Sequence, residues 1–441
     1  MNIANVSNLI WSEFFLIPIL GFTGLYLTIG LRGFTIFNLK NAIIFLAQKE
    51  DTKNNLTPFQ ALMTAQAATV GTGNIIGVAT AIALGGPGTI FWMWVIAILG
   101  MSTKYCEAFL AIMYSEINKD GAKVGGPMYY IKNGLSSRWT WLAYVFAFFG
   151  MIASFGIGNT VQANAITSTV NNVIFLPTGF IGILISFVVG LVILGGVKRI
   201  GYIASKLVPL MIILYVILCS FVILKNIHAI PGILEIIFKE AFNVASGSGA
   251  GVWLAIRWGF ARGIFSNEAG LGSAAIAHGA SSAKDPVKQG SIAMLGTFID
   301  TIIVCTLTSL VLLLAGLDLS QGNGALISTS AFFYHFGATG ELILTFAISI
   351  FAFTTILGWS YYGEKCTEFL FGQKSIIWFR MLWVIAVFFG SVIQFDLVWQ
   401  LADIFNGLMA APNLFAILLL SPIVFKLSLK QQKINEKSVS N

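Results

Sequence analysis

Long apolar runs, each about the length of a membrane-crossing helix, alternate with short polar segments along most of the chain. A helix needs ~20 mainly apolar residues to cross the hydrocarbon core of a bilayer. On that measure eleven spans are expected, at 14–32, 59–84, 88–113, 140–167, 178–196, 201–224, 250–278, 290–316, 340–362, 376–393 and 397–425. Two of them are interrupted. The second contains "ATVGTGNIIG", Ala68 to Gly77, and the seventh contains "FARGIFSNEAGLGSAAIAHG", Phe260 to Gly279. An isolated pair of small residues would serve close helix packing. Here Gly71 and Gly73 flank Thr72 and precede Asn74, and such closely spaced glycines favour local unwinding because glycine adopts non-helical geometry at little cost. Unwound backbone at membrane depth persists only when it is buried in protein or lines a cavity. Its freed amides and carbonyls need partners, which a bound solute can supply.

The two interruptions lie about 190 residues apart, and each opens a set of five spans. Since five is odd, the two sets cross the membrane in opposite directions. The expected fold is therefore an all-α integral membrane protein of about eleven transmembrane helices. It comprises a five-plus-five inverted repeat with two broken helices and one extra N-terminal helix. The corresponding division is an extra helix and connector at 1–56, a first repeat at 57–225, a second, inverted repeat at 226–425, and a basic tail at 426–441.

Composition narrows the class further. Of the 441 residues 57% are hydrophobic and only 10% charged, with 37 Phe, whereas soluble domains carry charge on about 25% of residues. The net charge of +7 follows topology. With the N-terminus outside and the C-terminus in the cytoplasm, twenty Lys and Arg fall to the cytoplasmic side and two, Lys225 and Lys239, to the other. That is the asymmetry expected of a multi-pass protein of the cell membrane, and it leaves no basis for nucleic-acid binding. The four cysteines and three histidines are dispersed, without metal-ligand spacing. No nucleophile–base pairing or phosphate loop is present, so the chain does not read as an enzyme.

The segment "GGPGTIFWMWVIAILG", Gly85 to Gly100, resembles the signature of the alanine or glycine:cation symporters. "GTGNIIGVATAIALGGPG", "SNEAGLGSAAIAHG" and "TTILGWSYYGEK" are similar to the same family. By itself Gly-Gly-Pro-Gly followed by Phe91, Trp92 and Trp94 also reads as a re-entrant turn beside an interfacial aromatic cluster. The resemblance implies the inverted-repeat fold of the bacterial leucine transporter, sodium as coupling ion with no organic cofactor, and alanine or glycine as substrate. Carried over, the amides near Gly71, Thr72 and Gly73 would hold the substrate carboxylate, with Asn74 beside them. The carbonyls of Ala67, Val70 and Phe351 and the hydroxyls of Thr354 and Thr355 would ligate sodium. Helix termini present the matching charges, amides for an anion and carbonyls for a cation.

Gln162, Phe265, Ser266 and Trp359 complete the expected pocket, with Gly358 making room for the indole. Their ordinary alternatives are helix-packing hydrogen bonds and core filling. Ionisable groups inside spans are functional candidates by default: Arg262, Glu268 and Asp300 are candidate gate or proton-site residues, with Glu268 paired to a nearby arginine or acting in the site. A proton-coupled small amino-acid carrier using Glu268 or Asp300 is the alternative to sodium coupling. A channel would be expected to show a filter or pore-lining ring, which two unlike helix breaks do not resemble.

Overall fold

The computed structural model describes residues 6, 9–12, 15–48, 55–243, 250–317, 324–393 and 396–439. Helices occupy all eleven apolar runs. The first is α1 (Leu16–Gly30), followed by the connector helix α2 (Leu39–Ala47). The second run is split into α3 (Pro58–Thr69) and α4 (Ile76–Gly85), and the third is α5 (Thr89–Met113). After α6 (Pro127–Gly134), the fourth run forms α7 (Thr140–Phe155) and α8 (Val161–Ile174), joined by a π-helical turn at Gly156–Thr160. Then come α9 (Thr178–Ile193), α10 (Gly196–Lys225) and a short α11 (Ile230–Ala241).

The seventh run is again split, into α12 (Ala250–Asn267) and α13 (Ser273–Gly279). The eighth, α14 (Pro286–Thr297) and α15 (Thr306–Leu314), is continuous through a π-helical stretch at Phe298–Cys305. The remainder is α16 (Gly324–Phe336), α17 (Ala338–Phe371), α18 (Ile376–Val392) and α19 (Asp396–Val439). This last helix continues through most of the segment expected to be a separate tail.

Among the described residues seven helices are long and apolar enough to cross a membrane, or eight when α3 and α4, bent by 62°, count as one span. The helices α1 and α9 are apolar but shorter, at 15 and 16 residues. A 20-residue apolar window overlooks α2, α6, α11 and α16, which are 9, 8, 12 and 13 residues long. A small hairpin, β1 (Glu116–Ile117) with β2 (Lys123–Val124), precedes α6.

Local chemistry explains the ends of the broken spans. Pro58 opens α3, and the Thr57 hydroxyl accepts from the Gln60 amide at 2.9 Å while the Gln60 side chain accepts from the Thr57 amide at 3.0 Å, a reciprocal cap. Leu56 beside it forms a parallel bridge with Ser281 after α13, through Leu56 N to Ala280 O at 3.1 Å and Ser282 N to Leu56 O at 2.8 Å. The two broken spans are thus stitched together at that end. In the apolar window of α5, 83% of residues are buried inside the protein, against 28% for α10 and α18. The helix α5 therefore sits at the centre, and α10 and α18 lie at the lipid-facing rim.

The signature segment contributes to packing. Gly86 turns the chain with φ +75°, and a side chain on Gly88 would begin 2.4 Å from the backbone of Glu240 and Ala241 in α11. The Trp92 indole donates to the Ala241 carbonyl at 3.0 Å, and Phe91 and Trp92 both pack on Phe242. Gly77, in contrast, has no neighbour from outside its own helix within 4 Å of a would-be Cβ among the described residues. Gly88→Val is expected to lower stability by about 1–3 kcal/mol through overpacking. Gly77→Ala should be neutral or stabilising by up to about 1 kcal/mol, because alanine is the better helix former. Thermal unfolding of the two purified variants checks both.

Candidate functional site

The helix α3 ends at Thr69 with Val70 as its C-cap, Gly71 is extended (φ −144°, ψ −152°), and Thr72–Asn74 form a single 3-10 turn before α4. In an unbroken helix the Gly71 amide would donate to the Ala67 carbonyl. Here it donates to Asn74 Oδ1 at 2.9 Å. The amides of Thr72 and Gly73 have no hydrogen-bond partner among the described residues. The break therefore offers open donors at the start of one half-helix and released acceptors at the end of the other. The Thr72 hydroxyl donates to Gln162 Oε1 at 3.3 Å, and Gln162 Nε2 donates to the Ile157 carbonyl within the π-helical turn at 3.0 Å. The structure thus brings Gln162 to the break, as expected from the sequence.

Asn74 has a different role from the one expected. Its side-chain oxygen is taken by Gly71, and its Nδ2 donates to Asp300 Oδ1 at 2.7 Å, with Ser266 Oγ 2.9 Å away. Both ends of the amide are engaged with protein. Ser266 donates to Asp300 Oδ2 at 2.7 Å and Thr301 to the same oxygen at 2.8 Å. Asp300 is fully buried at the start of the π-helical stretch and joins the two helix breaks. Cys305 also borders this cluster, its sulfur 3.3 Å from Ser266 Oγ.

At the second break Glu268, Gly270 and Gly272 all have positive φ, at 56°, 94° and 80°. The left-handed turn at Glu268 aims its side chain at Trp359, whose indole N–H donates to Oε1 at 2.9 Å, and at Ser273, whose hydroxyl donates to Oε2 at 2.5 Å. The expected pairing of Glu268 with an arginine is not formed: no ion pair involves Glu268 among the described residues. Trp359 is packed against Gly158, where a side chain would begin 2.1 Å from Trp359 Cβ. Gly358 instead faces the Ala68 backbone at 2.6 Å. The residue that makes room for the indole is therefore Gly158, on the fourth span.

The tight contact of Gly358 with α3 places Thr355, one turn earlier, beside the first break, with Thr354 adjacent to it in the chain. A side chain on Gly71 would lie 2.6 Å from Thr355 Oγ1, whereas Thr354 Oγ1 approaches Met211 Sδ at 3.5 Å. Both hydroxyls donate to the Phe351 carbonyl, at 2.9 and 3.0 Å. Ala67, Val70, Phe351, Thr354 and Thr355 are all buried. The oxygens these residues offer a cation, backbone carbonyls and hydroxyls, are neutral. Phe265 lies against the same break, its ring 3.4 Å from a would-be Cβ on Gly73. Arg262, one turn away, lies over the rings of Phe265 and Trp258.

Two site-forming residues were missed in the sequence. Glu107 on α5 accepts from the amides of Gly270 and Gly272 at 3.0 Å each and from Asn413 Nδ2 at 2.8 Å, holding the second break in shape. Lys104, one turn earlier, is buried with no hydrogen-bond partner among the described residues and feels the charges of Glu107, Glu268 and Asp300. Their charge inside an apolar span was the available signal.

The chain is similar over its length to known transporters. It is 47% identical over 429 residues to an uncharacterized transporter of Haemophilus influenzae, covering 96% of this chain and 93% of that one. It is 45% identical over 428 residues to the sodium/alanine symporter AgcS of Methanococcus maripaludis, covering 95% and 94%. The crystal structure of MhsT in complex with L-phenylalanine shares the fold, with a TM-score of 0.57 at 12% identity, covering 86% of this chain and 99% of that one. The model of the sodium:alanine symporter family matches residues 1–440. The chain belongs to the sodium:alanine symporter family, whose members are transporters and not enzymes.

Proposed function

We propose that this protein is a sodium-coupled symporter that imports alanine, glycine or a similarly small amino acid across the cell membrane by alternating access. The observation that carries the reading is the break at Val70–Asn74. Its open amides at Thr72 and Gly73 suit a substrate carboxylate, because the start of a half-helix attracts an anion. On the other side the Ala67 carbonyl loses its usual donor, and the Thr355 hydroxyl lies against Gly71. Carbonyls of Ala67, Val70 and Phe351 with hydroxyls of Thr354 and Thr355 form a neutral oxygen set suited to sodium. Gln162, Ser266, Phe265 and Trp359 complete the surroundings, and the family description and the AgcS similarity support both ion and substrate.

The proposal includes eleven spans arranged as an N-terminal helix and two inverted five-helix repeats at 57–225 and 226–425. The N-terminus lies outside and the basic C-terminal segment in the cytoplasm. A second reading, proton coupling, is favoured by one feature: Asp300 is a buried carboxylate touching both breaks. Its side-chain neighbours are the Asn74 amide N–H, which only donates, and the Ser266 and Thr301 hydroxyls, which can donate or accept. Such a carboxyl can be held ionised or protonated, and the family description favours sodium.

Replacing Thr354 and Thr355 together by Ala is expected to raise the sodium concentration for half-maximal alanine uptake by roughly tenfold or more, as for loss of hydrogen-bonding oxygens to a charge. Thr355→Ala should carry the larger share. Sodium titrations of uptake in proteoliposomes test this, and unchanged sodium activation would remove these residues from the ion site.

Phe265→Ala should admit larger amino acids such as leucine, shifting their competition against alanine by roughly 10–200-fold, the value of one or two methylenes in an apolar pocket. Uniform loss of uptake at normal expression would assign Phe265 to packing.

Under the sodium reading, Asp300→Asn should weaken sodium activation while a pH gradient alone drives no accumulation in either protein. Uptake driven by a pH gradient in sodium-free vesicles, and lost in Asp300→Asn, would select proton coupling instead.

A further inference from the structure

Lys104 is a buried cation within α5 that makes no hydrogen bond to any residue proposed for substrate or sodium. Gly100, Lys104 and Glu107 are spaced so as to share one face of that helix. The face lies against the loop between α12 and α13. A side chain on Gly100 would begin 3.0 Å from Ala269 Cβ and 3.8 Å from Asn267 Oδ1, and Glu107 Oε1 takes the amides of Gly270 and Gly272. Lys104, between those two contacts, therefore faces the same loop.

Three carboxylates, Glu107, Glu268 and Asp300, are buried in this region, and like charges repel strongly where water is excluded. Among the described residues Lys104 is the one basic group whose charge all three feel. Glu268 belongs to the loop and Glu107 holds its amides, so repulsion between them acts to spread it. An ammonium that attracts both opposes that. Yet Glu268 is engaged with Trp359 and Ser273, and Glu107 Oε1 with the loop and Asn413. Lys104 Nζ, Glu107 Oε2 and the Tyr362 hydroxyl have no hydrogen-bond partner among the described residues. The Tyr362 ring packs edge-on against Trp359 with 5.5 Å between centroids, and Tyr362 feels Glu268 and Glu107 as well. The cluster around Lys104 thus extends to the indole, and the ammonium acts in it by charge and not through a fixed hydrogen bond.

We propose that Lys104 is a positioning residue for substrate binding: its charge holds Glu107 and Glu268 in place around the second break, and Glu268 in turn fixes the Trp359 indole as a wall of the alanine pocket. The inference rests on the transport reading above, in which Trp359 lines the pocket. Removing the ammonium leaves buried carboxylates uncompensated, which is strongly unfavourable. Glu268 relieves that by leaving its place, and the indole loses its acceptor. The effect on sodium has the opposite sign, because loss of a positive charge makes the region more attractive to a cation.

The test is sodium-driven uptake of labelled alanine by the purified full-length protein in proteoliposomes, titrated in alanine and in sodium. Lys104→Met should raise the KM for alanine by roughly tenfold or more, as when one partner of a buried charge pair is removed. It should not raise the sodium concentration for half-maximal uptake. Glu268→Gln should raise the KM as well. Adding Lys104→Met to Glu268→Gln should change the KM by less than about twofold, because the route through Glu268 is already cut. That comparison decides the question even if Lys104→Met alone is not recovered folded. An unchanged KM in either single variant would overturn the proposal. So would a full further loss on adding Lys104→Met to Glu268→Gln. A joint rise in KM and sodium requirement in Lys104→Met would also overturn it, since that marks general collapse of the site. Wild-type vesicles that take up no alanine would instead sink the transport reading.

Discussion

A carboxylate placed between two broken helices is the constraint on which the centre of this protein depends. Breaking a helix inside a membrane strips hydrogen bonds from backbone groups that have no water to turn to. Asp300 secures the side chains that manage this, because Asn74 and Ser266, one from each break, both donate to it. Asn74 then has its other end free to hold the Gly71 amide, which keeps that amide from rejoining the helix. Asp300 and Ser266 together fix the amino end of the Asn74 side chain. The first break is thus maintained by a group 226 residues away in sequence.

The second break depends on a comparable device. Three residues with positive φ carry the chain from α12 to α13, and two of their amides are gathered by one oxygen of Glu107. Glu268 turns outward from the same loop onto Trp359. The α5 helix that bears Glu107 is the most thoroughly buried of the long spans, so the loop is fastened to a rigid element. Precision at a site comes from such support, since groups held by packed helices keep their geometry better than groups on a free loop. The π-helical turns on the fourth and eighth spans serve the same centre, placing Gln162 and Asp300; local widening of a helix is common at functional sites.

Motion is constrained by the same contacts. The ends of both broken spans are joined by the Leu56–Ser281 bridge, so α3 and α13 are mechanically linked away from the centre. The hydroxyl of Thr355 abuts Gly71, and Gly358 admits the α3 backbone at a distance no side chain would allow. A shift of α17 relative to α3 would therefore alter the oxygen set proposed for sodium. Such a geometry provides a physical route for coupling ion occupancy to the packing of the two helix groups.

Much of this was legible in the chain itself. Apolar length placed a helix on each of eleven runs, and clustered glycines marked both interruptions, because those properties belong to the local segment and its solvent. Gln162, Ser266 and Asp300 stood out as polar groups where lipid offers nothing to pair with, and all three lie at or between the breaks. What the sequence could not provide was partnership. Helical periodicity assigns a residue to a face, but the neighbour that face meets is decided by helices distant in the chain. Glu268 therefore meets Trp359, 91 residues on, and not an arginine; Gly158, not Gly358, seats the indole; and Asn74 is a clamp on its own turn. Glu107 was hidden for the same reason: its meaning lies in the backbone amides of Gly270 and Gly272, 163 and 165 residues away, which only the packed structure brings to it.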